Sequence, residues 1–170
     1  MSEENDPLGH LFSAMYEELR RLASSVRRDE ASPTLNPTAL VNEAYLKLAG
    51  SLRIEPGSQL HFKRIAARAM RQVLVEAARH RSARKRGAGQ ALVTFDEGVA
   101  VGVQSSDEIL ALDGALEDLA ELHPRQAQMV ECRFFGGLGV SETAQLLQVS
   151  ESTIERDWRA ARAWLAVRLK

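Results

Sequence analysis

The stretch GLGVSETAQLLQVSESTIERDWRAARAWLAVRLK, Gly137 to Lys170, decides how the chain is read. Ser141 can cap a short helix that carries Ala144, Leu146 and Leu147, and Gln148-Val149 makes a turn. Ser150 can cap a second, longer helix, because a hydroxyl before a helical run accepts from an N–H group that the first turn leaves without a partner. In that helix Ile154, Trp158, Ala161 and Leu165 recur at i, i+4, i+7 and i+11, which draws one apolar face. Ser152, Arg156 and Arg159 fall on the other side, with Glu155 at the flank. A short helix, a tight turn and a helix whose polar N-terminal half is free describe a helix-turn-helix, whose second helix enters the DNA major groove. The same residues also fit a plain helical hairpin with solvated arginines, and the pattern alone leaves both open.

The chain has 170 residues and a formal net charge of −1, which allows one ordinary domain or two small ones. No run of about 18 apolar residues is present, so no membrane span is expected. The N-terminal MSEENDPLGHLF is acidic and lacks the basic and apolar regions of a secretory signal, so the cytoplasm is the expected compartment. Cys132 is the single cysteine; among Met129, Val130 and Phe135 it reads as a buried, inert thiol. One cysteine and four scattered histidines do not make a metal site.

The near-zero net charge hides an asymmetry. From Leu60 to Arg86 there are nine Lys/Arg (Lys63, Arg64, Arg68, Arg71, Arg79, Arg81, Arg84, Lys85 and Arg86) against the single acid Glu76. From Gly87 to Leu122 there are eight acids and no Lys or Arg. Such asymmetry points to a polyanionic partner for the basic segment.

In chain order, Asp6-Pro7 opens a helix through about Arg28, with Leu8, Leu11, Phe12, Met15, Leu19, Leu22 and Val26 on one face. Asp29 to Leu35 is a loop, and Asn36-Pro37 repeats the cap-then-proline signal for a helix from Thr38 to Ala49, stopped by Gly50. Ser51 to Gln59 is a longer loop. The third helix is expected from Leu60 to Arg86: Phe62, Ile65, Ala66, Ala69, Met70, Val73 and Ala77 share one side, and Arg64, Arg68, Arg71 and Arg79 lie nearly opposite. That basic face can dock phosphates or be simply solvated. Gly87 to Ser106 breaks helical periodicity and reads as a linker, with a short strand-like piece at Leu92 to Phe95. Ser106 caps the next helix, whose face is Ile109, Leu112, Leu116 and Leu119. His123-Pro124 starts another, with Ala127, Val130 and Phe134 inward and Gly136-Gly137 at its end.

No catalytic constellation is visible. There is no GxSxG, no phosphate-binding glycine loop and no HExxH, so no enzyme and no cofactor are expected.

With these segments in place, the chain resembles an extracytoplasmic-function (ECF) sigma factor, the small two-domain class of bacterial transcription initiation factors. The resemblance is carried by TLNPTALVNEAYLKL (Thr34 to Leu48), HFKRIAARAMRQVLVEAARHRSARKRG (His61 to Gly87) and HPRQAQMVECRFFGGLGVSETAQLLQVSESTIERDWRAARAWL (His123 to Leu165). It implies an all-α chain with an N-terminal domain over residues 1–88, a flexible acidic linker over 89–106 and a helix-turn-helix domain over 107–170. It implies core RNA polymerase as partner, through the clamp helices of the largest subunit and the flap, and promoter DNA; an anti-sigma factor is a further partner it allows. Asn42-Glu43 resembles the Gln-Glu of the family's polymerase-binding helix, although a polar pair on an apolar helix can equally be solvated. The Ser51 to Leu60 loop resembles the segment that captures a flipped base. His61, Lys63, Arg64, Arg68, Arg71 and Arg79 would guide the near promoter element and the melted strand. Glu151, Ser152, Thr153, Glu155, Arg156 and Arg159 would meet the upstream element, with Arg156 and Arg159 the foremost candidates because arginine grips guanine bidentately. Thr153 can cap rather than read.

The chain departs from the family's pattern at three places. Gln148 stands in the turn where glycine is usual, and a left-handed conformation there would cost about 1–2 kcal/mol. Glu155 stands where many relatives are basic; an acid near DNA is repulsive unless it accepts from a cytosine amino group. The first domain has no tryptophan, so base stacking would fall to Phe62, His61 or arginine planes. The competing functional reading is a stand-alone helix-turn-helix regulator, against which the long basic helix counts.

Overall fold

Asn36 and Pro37 open a helix as their order predicts. The Asn36 Oδ1 accepts from the Ala39 N–H at 2.8 Å, Pro37 takes the first helical position, and Gly50 ends the run. The computed structural model describes residues 7–26, 36–50, 58–84 and 106–170. Their regular structure is helical throughout: α1 (Pro7–Val26), α2 (Pro37–Ala49), α3 (Gln59–Arg84), α4 (Ser106–Leu122), α5 (Pro124–Phe134), α6 (Val140–Leu147) and α7 (Glu151–Arg168). The chain is therefore all-α. The expectations placed on Asp6, on the 29–35 and 51–57 loops and on the linker up to residue 105 lie outside the described residues.

Three helix starts differ from the sequence reading. Ser106, read as a cap, is the first residue of α4. Ser58, read as loop, is the cap of α3: its Oγ accepts from the His61 N–H at 3.1 Å. Ser141 does not cap α6. The cap is Gly139, whose extended backbone precedes Val140; the Glu142 carboxylate reaches back to accept from the Gly139 N–H at 3.1 Å, and the Thr143 hydroxyl donates to the Gly139 carbonyl at 2.7 Å. Side chains three and four residues into the helix serve the N-terminus, so no capping hydroxyl is needed in front of it.

The helix α3 lies between two sets of neighbours, with α1 and α2 on one side and α4, α5 and α6 on the other. Its expected apolar stripe faces the first set: Phe62, Ala66 and Met70 line a small apolar pocket together with Phe12, Leu19, Val41, Ala44, Tyr45 and Leu48. Phe12 ties α1 to α2 through the Tyr45 ring, 4.3 Å between centroids. Phe62, one of the residues offered for base stacking, is fully buried in this core.

The opposite side of α3, expected to be wet, is largely covered. Ala67, Leu74, Val75 and Ala78 are buried there. They recur at i, i+7, i+8 and i+11, a second apolar stripe at helical spacing. Gly136, just past α5, presses against it: a Cβ at that position would stand 3.1 Å from the Ala67 Cβ and 2.6 Å from the Cys132 carbonyl oxygen. The core runs on into Leu112, Leu116 and Leu119 of α4, Ala127, Val130 and Phe134 of α5, and Ile154, Ala161 and Leu165 of α7.

The α6–α7 turn carries the strain the sequence foreshadows. Gln148 has φ 56° and ψ 45°, the left-handed conformation, and is the one non-glycine residue with positive φ among those described. The Val149 N–H closes the turn on the Ala144 carbonyl at 3.0 Å. Gln148→Gly should remove a backbone cost of about 1–2 kcal/mol, less about 0.4–1 kcal/mol for the looser unfolded chain. A net gain near 1 kcal/mol should raise the thermal midpoint by roughly 2–4 °C. Gly136→Ala should lower the midpoint, since overpacking costs about 1–3 kcal/mol; a melt followed by circular dichroism checks both.

Candidate nucleic-acid interface

The helix α7 is pinned on three sides and open on the fourth. At its N-terminus the Ser150 Oγ accepts from the Thr153 N–H at 3.2 Å, and the two hydroxyls are 2.9 Å apart. Thr153 is thus engaged in the cap and half-buried. Ile154, Ala161 and Leu165 are fully buried beneath the helix. On its flank Asp157, 4% exposed, takes the Arg125 Nε at 2.7 Å, which binds the helix to the first turn of α5. Trp158 is half-buried, and the Arg133 guanidinium of α5 lies over its ring, 4.3 Å from the centroid. Burial pulls the Arg133 pKa below its ordinary value, and its Nε has no hydrogen-bond partner. The open face carries Glu151, Ser152, Glu155, Arg156 and Arg159, all exposed. The Arg159 Nε donates to the Glu155 carbonyl oxygen at 3.4 Å, leaving the rest of its guanidinium toward solvent.

The basic residues of α3 divide into two groups. Arg68 and Arg79 are exposed, and Arg64 and His61 are half-buried. His61, Arg64 and Arg68 line a cleft of about 580 Å³ whose far wall includes Gln128 and Glu131 of α5. Lys63 and Arg71, by contrast, are committed within the protein. Lys63 Nζ lies 2.7 Å from Glu18 of α1 and 3.1 Å from Glu142 of α6. Burial alone would lower the Lys63 pKa, but the two carboxylates outweigh it and hold it above the ordinary value. Burial alone would likewise raise Glu142; the Gly139 N–H and Lys63 outweigh it and hold that carboxyl below the usual range. Arg71 donates through Nε to Asp113 Oδ1 at 2.8 Å, through Nη1 to Glu131 Oε2 at 2.7 Å, and through Nη2 to the Asp113 carbonyl at 3.3 Å.

On α2, Asn42 and Glu43 are exposed as a solvated or partner-binding pair would be. Leu46, 61% exposed, stands one turn further on and was not singled out from the sequence. Its i+3 and i+4 spacing from the pair is the signal that places it on the same face. The carboxylate partners of α3 and the Arg125–Asp157 and Arg133–Trp158 pairs also went unread, because contacts between distant segments leave no local periodicity. Among the described residues no cluster of His, Cys, Asp or Glu is placed to hold a metal, and no helix is long and apolar enough to cross a membrane. Burial pushes the Cys132 thiol up to about 11, which agrees with an inert core cysteine.

Two stability predictions follow from these contacts. Arg125→Ala leaves the buried Asp157 carboxylate without its cation and should cost about 1–3 kcal/mol in urea unfolding. A Glu142 carboxyl held low in the folded state stabilises above its unfolded pKa, and that contribution disappears as pH falls through its folded value. Glu142→Gln should therefore be less stable than the parent at neutral pH, and the gap should close below about pH 4.

Among the curated proteins and among the solved structures no match to the chain was found. The family model described as ECF sigma factor matches residues 3–170. That match covers nearly the whole chain, and it includes both the basic α3 and the open face of α7. The chain belongs to the ECF sigma factor family, and so is a transcription initiation factor that works with core RNA polymerase on promoter DNA.

Proposed function

We propose that the two halves of the chain divide the promoter between them. In this reading α1–α3 form the polymerase-binding and near-element domain, and α4–α7 form the upstream-element domain. The open face of α7 enters the major groove of the upstream element, with Arg156 and Arg159 as the principal contacts and Glu151, Ser152 and Glu155 setting sequence preference. The observation that carries this is the placement of two exposed arginines three residues apart on a helix whose other faces are capped, ion-paired or buried. Thr153 acts through the cap. Glu155, an acid on that face, favours a cytosine amino group.

The exposed Arg68 and Arg79, with Arg64 and His61, supply the cations that track phosphates of the near element and the melted strand. Stacking falls to His61 and the arginine planes, since Phe62 is in the core. Asn42, Glu43 and Leu46 of α2 form the polymerase-facing patch, a polar pair beside an exposed apolar side chain. The chain supplies no catalytic group of its own and works where the polymerase is, in the cytoplasm.

Arg156→Ala and Arg159→Ala should each weaken upstream-element binding by about 1–3 kcal/mol, measured as footprinting of the polymerase–chain complex on its promoter. Protection of the upstream element unchanged in both variants would refute the assignment of α7. Arg68→Ala should reduce open-complex formation, read by permanganate reactivity of the melted strand, while leaving polymerase association intact.

A further inference from the structure

We propose that the free chain is autoinhibited by a clasp of carboxylates from its C-terminal helices on the cations of α3. This rests on the reading of α3 as the near-element DNA face. Asp113 of α4, Glu131 of α5 and Glu142 of α6 come from three different helices, yet all converge on Arg71 and Lys63, two turns apart on one helix. All three guanidinium nitrogens of Arg71 are engaged by this clasp. A carboxylate presents to an arginine the same charge and paired oxygens as a phosphate, so the clasp occupies Arg71 as DNA would.

The contact is not a loose surface pairing. The side chains of Arg71, Asp113 and Glu131 are 17%, 13% and 17% exposed. Beside them the stripe of Ala67, Leu74, Val75 and Ala78 is covered, and Gly136 allows the end of α5 to reach Ala67. Ser82 adds a hydrogen bond to Asp107 of α4 at 3.2 Å further along α3. Covalent connection keeps the carboxylates at high effective concentration near their cations, so a free phosphate competes poorly. Arg68 and Arg79 remain exposed at the rim of the same surface and can make first contact with a nucleic acid before the clasp gives way.

Binding of a short, fluorescently labelled single-stranded DNA to the full chain, followed by anisotropy at fixed low salt, tests this. Asp113→Asn combined with Glu131→Gln keeps side-chain shape and removes the competing charge. That variant should bind about tenfold more tightly than the parent, and adding Arg71→Gln should cancel the gain. Glu17→Gln with Glu121→Gln removes two exposed carboxylates outside the clasp and should give a much smaller gain; an equal gain would reduce the effect to bulk charge and overturn the proposal. Should the double variant not fold by circular dichroism, Glu142→Gln, whose carboxylate is 44% exposed, carries the test with the same expected direction. Arg68→Gln, outside the clasp, reports on the α3 surface by itself. If Arg68→Gln weakens binding while the clasp variants bind as the parent does, the clasp is a packing contact only and the DNA face stands. If Arg68→Gln also has no effect, the reading of α3 falls and the clasp with it.

Discussion

Arg71 sits inside the second apolar stripe of α3, flanked by Ala67, Leu74, Val75 and Ala78. A guanidinium in that position cannot shed its charge and loses much of its water, so it requires acceptors from whatever covers it. Asp113 and Glu131 provide them, and in doing so they fix how α4 and α5 lie on α3. From α5 the constraint passes to α7, because Arg125 holds Asp157 and Arg133 lies over Trp158. The orientation of α7 thus depends, through two further contacts, on one half-buried cation in the first half of the chain.

Much of this was legible locally. Asn36-Pro37, Ser150 and Gly50 mark helix ends by short-range chemistry, and the structure places ends there. Leu112, Leu116 and Leu119 of α4 and Ile154, Ala161 and Leu165 of α7 are buried where their periodicity puts them, with Ile109 and Trp158 partly buried beside them. Gln148 was recognisable as a residue forced toward a left-handed turn, and it adopts one. What was not legible is the second burial of α3. The arginines on that side drew attention away from the alanine and leucine stripe between them, and a basic face reads as wet when the acids that neutralise it are some 40–60 positions away in the chain. Gly139 went unread as a cap for a similar reason: the groups that serve it, Glu142 and Thr143, lie inside the helix, while Ser141 offered the more familiar chemistry in front of it. Among the site residues, Arg156 and Arg159 are exposed, whereas Lys63 and Arg71 are ion-paired to carboxylates of other helices, which the sequence alone does not reveal.

That dual use of cations has a physical logic. A face built to meet phosphates must be strongly positive, and like charges crowded on one helix repel one another unless they are screened or paired. Here the acidic bias of the segment from Gly87 to Leu122 supplies Asp113 for that pairing, and Glu131 and Glu142 complete it from helices further on. The basic and acidic segments cancel within an overall charge of −1, and Arg71 of the one pairs with Asp113 of the other. Such an arrangement stabilises the free chain and, on the reading proposed above, is exchanged for DNA and polymerase contacts when initiation begins.

Run-off transcription tests the central claim most directly: purified core RNA polymerase, with and without the full chain, on fragmented DNA from the organism that encodes it. Discrete transcripts that appear only with the chain, and that are lost when Arg156 and Arg159 are both replaced by alanine, are the predicted result. No chain-dependent transcript, together with specific duplex binding by the chain alone, would contradict the account.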